Sequence, residues 1–305
     1  MDHKERVTGK GLDDISHFFL SNVSPGAGAR KKEVSLNPFE SSLKLKKKKR
    51  VLPFLSLCSN IPSSFFTCNI ALSLSQQGKE VFVVDVEKRQ PNVESTFGLK
   101  PASLGLSDIL YPSENKIFRN VDLHLRVLDF RLELIFLPSP QRERDKKLLE
   151  LLNREEEFAD WMLINLPKSN MLLQNPEWIT RINEIVIFMD AQTQNIVETY
   201  AFIKALFSLK PDLTIYVGVC DVSTIQEAKE SFDKLLKGVM IHLNKTIKSV
   251  GYLLKDPLIS QSLFEQVPVI KGFDTPLQKG LKAIANILTD RETVSTPFFH
   301  PVERN

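Results

Sequence analysis

Residues 51–85 read VLPFLSLCSNIPSSFFTCNIALSLSQQGKEVFVVD. Val51 to Leu57 is a short apolar run of strand length. Phe65 to Gln77 then places Phe66, Ile70, Leu72 and Leu74 at roughly helical spacing, and Gly78 is suited to close the helix. Val81-Phe82-Val83-Val84 is a second apolar run, and it ends at the acidic residues Asp85 and Glu87. Strand, helix and strand within about thirty residues make a βαβ unit. Its two strands are expected to run parallel, joined by a right-handed crossover.

The same alternation continues along the chain. Leu132 to Leu137, Trp161 to Asn165, Ile185 to Met189 and Ile215 to Val219 have the near-continuous apolar character of strands buried on both faces. Arg142 to Phe158, Ile196 to Ser208, Ser223 to Leu243 and Pro276 to Leu288 carry helical patterns between and after them. The fold class expected is α/β, a three-layer, doubly wound, mostly parallel sheet with helices on both faces.

A chain of 305 residues, 42% hydrophobic and 25% charged, holds ample material for one large domain with tails. Residues 1–50 are expected to form a mobile arm with a basic junction, residues 51–289 the α/β domain, and residues 290–305 a C-terminal tail. The arm has one compact apolar cluster, Ile15 to Leu20, whose Phe18 and Phe19 suit a docking segment. Its junction, Lys44 to Arg50 (KLKKKKR), reads either as a solvated run or as a contact for an anionic membrane or nucleic acid. The formal net charge of +3 does not by itself point to nucleic acid.

Cys58, Cys68 and Cys220 show no C-x-x-C spacing and no neighbouring His/Cys cluster. No metal site and no disulfide framework are expected from them, which suits a reducing cytoplasm. No run is apolar and long enough to span a bilayer. The tail Arg291 to Asn305, with Pro297 and Pro301, does not have the pattern of an amphipathic membrane helix.

Ten segments follow one another along the chain: Gln76 to Asp85, Asn92-Val93, Phe97-Gly98-Leu99, Gly105 to Leu110, Leu137-Pro138-Ser139, Ala159 to Asn165, Met189 to Thr193, Thr199 to Lys204, Gly251 to Pro257 and Gln266 to Val269. In that order they resemble the MinD/ParA superfamily of deviant Walker ATPases, and within it the flagellar-number regulator branch, FlhG or FleN. The resemblance covers about Val51 to Leu288 and implies a P-loop NTPase fold.

The family loop reads G-K-G-G-x-G-K-[ST]. Its glycines let backbone N–H groups close on phosphates, its lysines neutralise charge, and its hydroxyl holds magnesium. Aligned without a gap from Ala71 and Gly78, the resemblance places Cys58 at the partner-reaching lysine and Ser63 at the phosphate lysine. Leu57, Ser59, Asn60 and Pro62 stand at the glycine positions, and Ser64 retains the hydroxyl. No lysine or glycine lies between Val51 and Gln77, so no shift of alignment restores the loop. Pro62 also removes an N–H donor. Asp85 and Glu87 match the family's acidic positions after the second strand, Asn165 replaces the Walker B aspartate, and Val219 falls near a base-reading asparagine. An amide in place of the carboxylate weakens the hold on a hard cation.

Phosphoryl transfer rests on positioning and charge stabilisation, and each lost contact costs roughly 3 kcal/mol by analogy with a removed oxyanion donor. The resemblance, with these departures, implies a pseudo-ATPase with vestigial Asp85, Glu87 and Asn165. The degenerate phosphate loop is Cys58, Ser59, Asn60, Pro62, Ser63 and Ser64. No cofactor is expected, with weak ATP and Mg2+ binding as the alternative, and no metal site. The expected role is a protein-binding spatial regulator or scaffold for a flagellum, cell division or cell pole. It would be cytoplasmic, or peripheral to the inner membrane, and would work with a protein partner or an active paralogue. The ATP-sandwich homodimer is expected to be lost. The alternative is an active ATPase switch cycling on a membrane or nucleoid surface. Phe65 and Phe66 are expected to fill part of the vacated phosphate site.

Overall fold

A computed structural model describes residues 50–85, 87, 90–99, 118–122, 125–128, 159–168, 173, 179, 182–272 and 274–290. The strand expected at Leu132–Leu137, the helix at Arg142–Phe158, the arm before Arg50 and the tail after Asp290 lie outside these residues.

The strands are β1 (Arg50–Ser56), β2 (Val81–Asp85), β3 (Phe118–Asp122), β4 (Leu125–Leu128), β5 (Trp161–Asn165), β6 (Glu184–Asp190), β7 (Thr214–Val222) and β8 (Lys248–Leu254). The helices are α1 (Ser63–Gln76), α2 (Val93–Thr96), α3 (Thr193–Leu209), α4 (Ile225–Leu243), α5 (Pro257–Glu265) and α6 (Pro276–Asp290). The strands form one sheet in the order β3-β4-β2-β5-β1-β6-β7-β8. All neighbours are parallel except β3 and β4, which pair antiparallel at one edge. β1 lies between β5 and β6, so the loop that follows it is central.

Two apolar layers follow from the two-residue repeat of the strands. In β6, Ile185, Ile187 and Met189 join the core under α3 and α4, while Val186 and Phe188 join the core under α1 and α6. This is the three-layer α/β arrangement expected. β3, β4, β8, α2 and α5 were absent from the expected elements. β8 alternates between buried and exposed positions at the sheet edge and carries Gly251, so it lacks the continuous apolar run of a central strand.

Arg50 corrects the reading of Lys44–Arg50 as a surface run. It is the first residue of β1 and is 3% exposed. Its guanidinium donates to Glu184, to the Leu288 carbonyl and, at 3.3 Å, to the Tyr216 hydroxyl. It also lies over the Trp161 ring, 4.9 Å from the centroid. A buried cation needs such partners, and Arg50 spends its charge joining β1, β6 and α6. It is therefore not available to a membrane or nucleic acid; Lys44–Lys49 lie outside the described residues. No helix among the described residues is long and apolar enough to cross a membrane.

Candidate functional site

β1 ends at Ser56 and α1 begins at Ser63, so Leu57–Pro62 forms the loop in the phosphate-loop position. Its first N–H groups are all directed at protein acceptors. Leu57 N–H donates to the Phe188 carbonyl at 2.7 Å, Cys58 N–H to Ser56 Oγ at 3.3 Å, and Ser59 N–H to Asp190 Oδ2 at 3.0 Å. Ser56 Oγ in turn donates to the Ile61 carbonyl. A phosphate nest needs successive N–H groups turned to a common anion. Here an internal carboxylate takes one of them.

Asp190 ends β6, and its position makes it the organiser of the loop. Gln192 N–H donates to its Oδ1 at 3.1 Å. Asn195 Nδ2, from the first turn of α3, donates to both of its oxygens at 2.7 and 2.8 Å and to Ser59 Oγ at 2.9 Å. Burial alone would raise the Asp190 pKa, but the donors from Asn195, Ser59 and Gln192 outweigh it and hold the carboxyl below its ordinary value. From the other side, Lys168 Nζ donates to the carbonyls of Leu57 and Cys58 at 3.2 and 3.4 Å.

The hydroxyls at the start of α1 are equally occupied. Ser63 Oγ donates to the Leu166 carbonyl at 2.6 Å. Ser64 Oγ donates to the Pro91 carbonyl and accepts from Thr96 Oγ1, both at 3.1 Å. Phe65 and Phe66 are fully buried beneath α1, where Phe66 stacks on Phe188 with ring centroids 3.6 Å apart. A Cβ on Gly218 would lie 2.5 Å from that Phe188 ring, so a residue without a side chain is required beside the stack.

The acidic positions come together as the β2–β5 register dictates, since Asp85 is paired with Asn165. Asn165 Nδ2 donates to Asp85 Oδ1 at 2.8 Å, Glu87 N–H to the same oxygen at 3.0 Å, and Val93 N–H to Oδ2 at 2.8 Å. Asp85 is only 4% exposed, which excludes a solvated residue at a strand end. Burial raises its pKa to about 7 despite the donors from Asn165, Glu87 and Val93. Burial, aided by the Asp85 charge, also raises the Cys68 thiol well above its ordinary value. Glu87 reaches the cluster through its backbone N–H.

In the described arrangement the groups that would face a magnesium nucleotide already have partners within the protein. The loop donors at Leu57, Cys58 and Ser59 have protein acceptors, the Ser64 hydroxyl is bound twice, and Asp85 is enclosed by donors. Among the described residues no group of His, Cys, Asp and Glu side chains is placed to hold a metal ion. Asn60 is exposed on the loop, and Pro62 precedes α1 without a side-chain cap.

Residue spacing along the chain had argued against a disulfide, yet Cys58 and Cys220 are joined across a separation of 162 residues. The sheet order explains it. Cys220 lies in β7 opposite Asp190 of β6, and the loop after β1 reaches the same strand ends. Asp190, Asn195, Lys168 and Cys220 were not read as site residues in the sequence. The one usable signal was Asp190, an acid closing a strongly apolar strand.

No family model matches the sequence, and no curated protein matches it. Solved structures do. MinD from Aquifex aeolicus superposes with a TM-score of 0.60 at 16% identity, covering 81% of this chain and 99% of that one. A ParA family ATPase from Chlorobium tepidum TLS gives 0.58 at 17% identity, with 79% and 99% covered. A putative plasmid partition protein from Borrelia burgdorferi B31, bound to AMPPNP, gives 0.59 at 16% identity, with 80% and 100% covered. The chain has the fold of the MinD and ParA ATPases. At these identities the likeness is one of fold. In this chain's own sheet the Leu57–Pro62 loop, Asp85 and Asn165 lie at the C-terminal strand ends, where α/β sheets bind ligands.

Proposed function

We propose that this protein is a pseudo-ATPase of the MinD/ParA fold, a spatial regulator or scaffold that acts by binding other proteins. The observation that carries the reading is the Ser59 N–H donating to Asp190 at 3.0 Å, which puts an internal anion on the loop. An added phosphate would meet that carboxylate and would have to displace its hydrogen bonds. Hydrolysis and tight Mg-ATP binding are both lost on this reading, and with them the nucleotide-clasped homodimer.

The role falls in positioning, of the flagellar or cell-pole type, in the cytoplasm or at the inner membrane surface. The partner is another protein or an active paralogue. Support for a protein partner comes from an assembly of the same fold, the MinC:MinD complex of Aquifex aeolicus, whose MinD matches at 16% identity over 84% of this chain and 98% of that one, with a TM-score of 0.60. The surface assigned to the partner is the outer face of α3, where Gln194, Val197, Glu198, Ala201 and Lys204 are exposed. Val197 is 60% exposed among polar neighbours.

Calorimetric titration of the full chain with ATP and magnesium, beside a phosphate-release assay, tests the reading. No saturable heat and no turnover are expected. Micromolar binding with steady phosphate release overturns it. One observation favours the rival, weak nucleotide binding by an altered site, namely the Lys168 ammonium at the loop carbonyls. On that rival, Lys168→Ala abolishes whatever binding is measured.

A further inference from the structure

The Cys58–Cys220 bond is not explained by the loss of nucleotide chemistry. Asp190, Asn195, Ser56 and Lys168 hold the loop by hydrogen bonds, and the disulfide adds a covalent tie to them. Cys58 sits in the Leu57–Pro62 loop, and Cys220 sits in β7, with β6 between them in the sheet. The bond therefore bridges the strand that carries Asp190. Both cysteines belong to the apolar layer that includes Phe66, Phe188 and Val250, with Cys58 3% and Cys220 0% exposed. The third cysteine, Cys68, is buried in α1 as a free thiol, its Sγ directed at the Val93 carbonyl 3.9 Å away.

We propose that the Cys58–Cys220 disulfide is a redox-controlled latch that decides whether the Leu57–Pro62 loop stays closed on the ends of β6 and β7. The loop touches the first turn of α3 directly, because Ser59 receives a hydrogen bond from Asn195 and donates one to Asp190. Opening the latch therefore loosens the loop and the start of α3 together. The inference stands apart from the pseudo-ATPase reading, because it concerns the closure of the loop and holds whether or not a nucleotide binds.

The reductant is a dithiol. One of its thiolates attacks Cys58 Sγ, the sulfur on the loop side, and the S–S bond breaks with Cys220 Sγ as the leaving thiolate, which then takes up a proton. The second thiol of the reductant closes on the mixed disulfide, frees Cys58 as a thiol, and leaves as a cyclic disulfide. Two electrons and two protons pass to the protein. Both sulfurs are nearly enclosed, so the attack follows a local opening of the loop.

The test uses the full chain. Protein purified in air is alkylated without reductant and mapped by mass spectrometry, and a portion is treated first with diamide, a thiol oxidant. A linked pair of peptides containing Cys58 and Cys220 is expected, with Cys68 unlinked. Hydrogen exchange is then compared for oxidised protein, dithiothreitol-reduced protein and Cys58→Ser. Residues 57–61 and 190–195 are expected to exchange at least about ten-fold faster in the reduced and variant proteins, with β2 and β5 unchanged. Cys220→Ala replaces the loop variant if Cys58→Ser does not fold. The proposal is overturned if Cys58 and Cys220 are alkylated as free thiols even after diamide. It is equally overturned if they are linked but exchange in the loop does not depend on the bond.

Discussion

Asn195 Nδ2 donates to both carboxylate oxygens of Asp190, at 2.7 and 2.8 Å, and so turns the end of β6 into a fixed internal anion. Ser59 N–H donates to the same carboxylate at 3.0 Å. The loop after β1 is thereby closed by the protein itself, and the first consequences to test concern this network.

Asp190→Ala leaves the Ser59 and Gln192 N–H groups and the Asn195 amide without their acceptor. Removing an ionised acceptor from partly buried donors is expected to cost about 2–4 kcal/mol in urea unfolding at neutral pH. The pH sign is fixed by the lowered pKa. The stability that Asp190 contributes is present above its ordinary value of 3.8 and is lost as pH falls through the lower folded value. The difference between wild type and Asp190→Ala should therefore shrink in acid.

Asp85 carries the opposite sign. Its pKa rises from 3.8 to about 7 on folding, so the folded chain holds a proton that the unfolded chain releases between these values. The stability from protonated Asp85 is full below pH 3.8 and is lost as pH rises through about 7. In Asp85→Asn this part of the slope is expected to vanish, as read from unfolding midpoints at pH 5, 6, 7 and 8. An unchanged slope would show that Asp85 does not titrate in this window.

Arg50→Ala should be among the most damaging single changes at the other end of the sheet. It strips the buried Glu184 of its cation and removes the donors to Leu288 and Tyr216. The expected loss is about 3–5 kcal/mol in chemical denaturation. Arg50→Met combined with Glu184→Leu should recover most of it, because no charge is then left buried and unpaired.

Gly218→Ala tests the aromatic packing beneath the loop. The added Cβ would meet the Phe188 ring at 2.5 Å, and Phe188 is stacked on Phe66. An overpacking cost of about 1–3 kcal/mol is expected. Near-ultraviolet circular dichroism should register the displaced rings.

Part of the arrangement was legible in the sequence. The lack of lysine and glycine between Val51 and Gln77 is a matter of local composition, and Asp85 and Asn165 close apolar strands whose parallel pairing brings them to 2.8 Å. Cys220 and Lys168 had no such signal. Their partners lie 162 and 111 residues away from them, at Cys58 and Leu57. Arg50 was read with its basic neighbours as surface, because a charge run looks the same before and after the first residue of a strand.

The sequence by itself determined the alternation of strands and helices, the α/β class and the lack of lysine and glycine between Val51 and Gln77, since each depends on the side chains of neighbouring residues and their period. Tertiary structure alone decided what the Leu57–Pro62 loop does with its donors. The sheet order sets β1 between β5 and β6, which brings Asp190, Lys168 and Cys220 to one loop and Glu184 to Arg50. Hydropathy is a local property. The choice of a hydrogen-bond or disulfide partner is made by which strand ends meet, and that is settled only when the whole sheet closes its core.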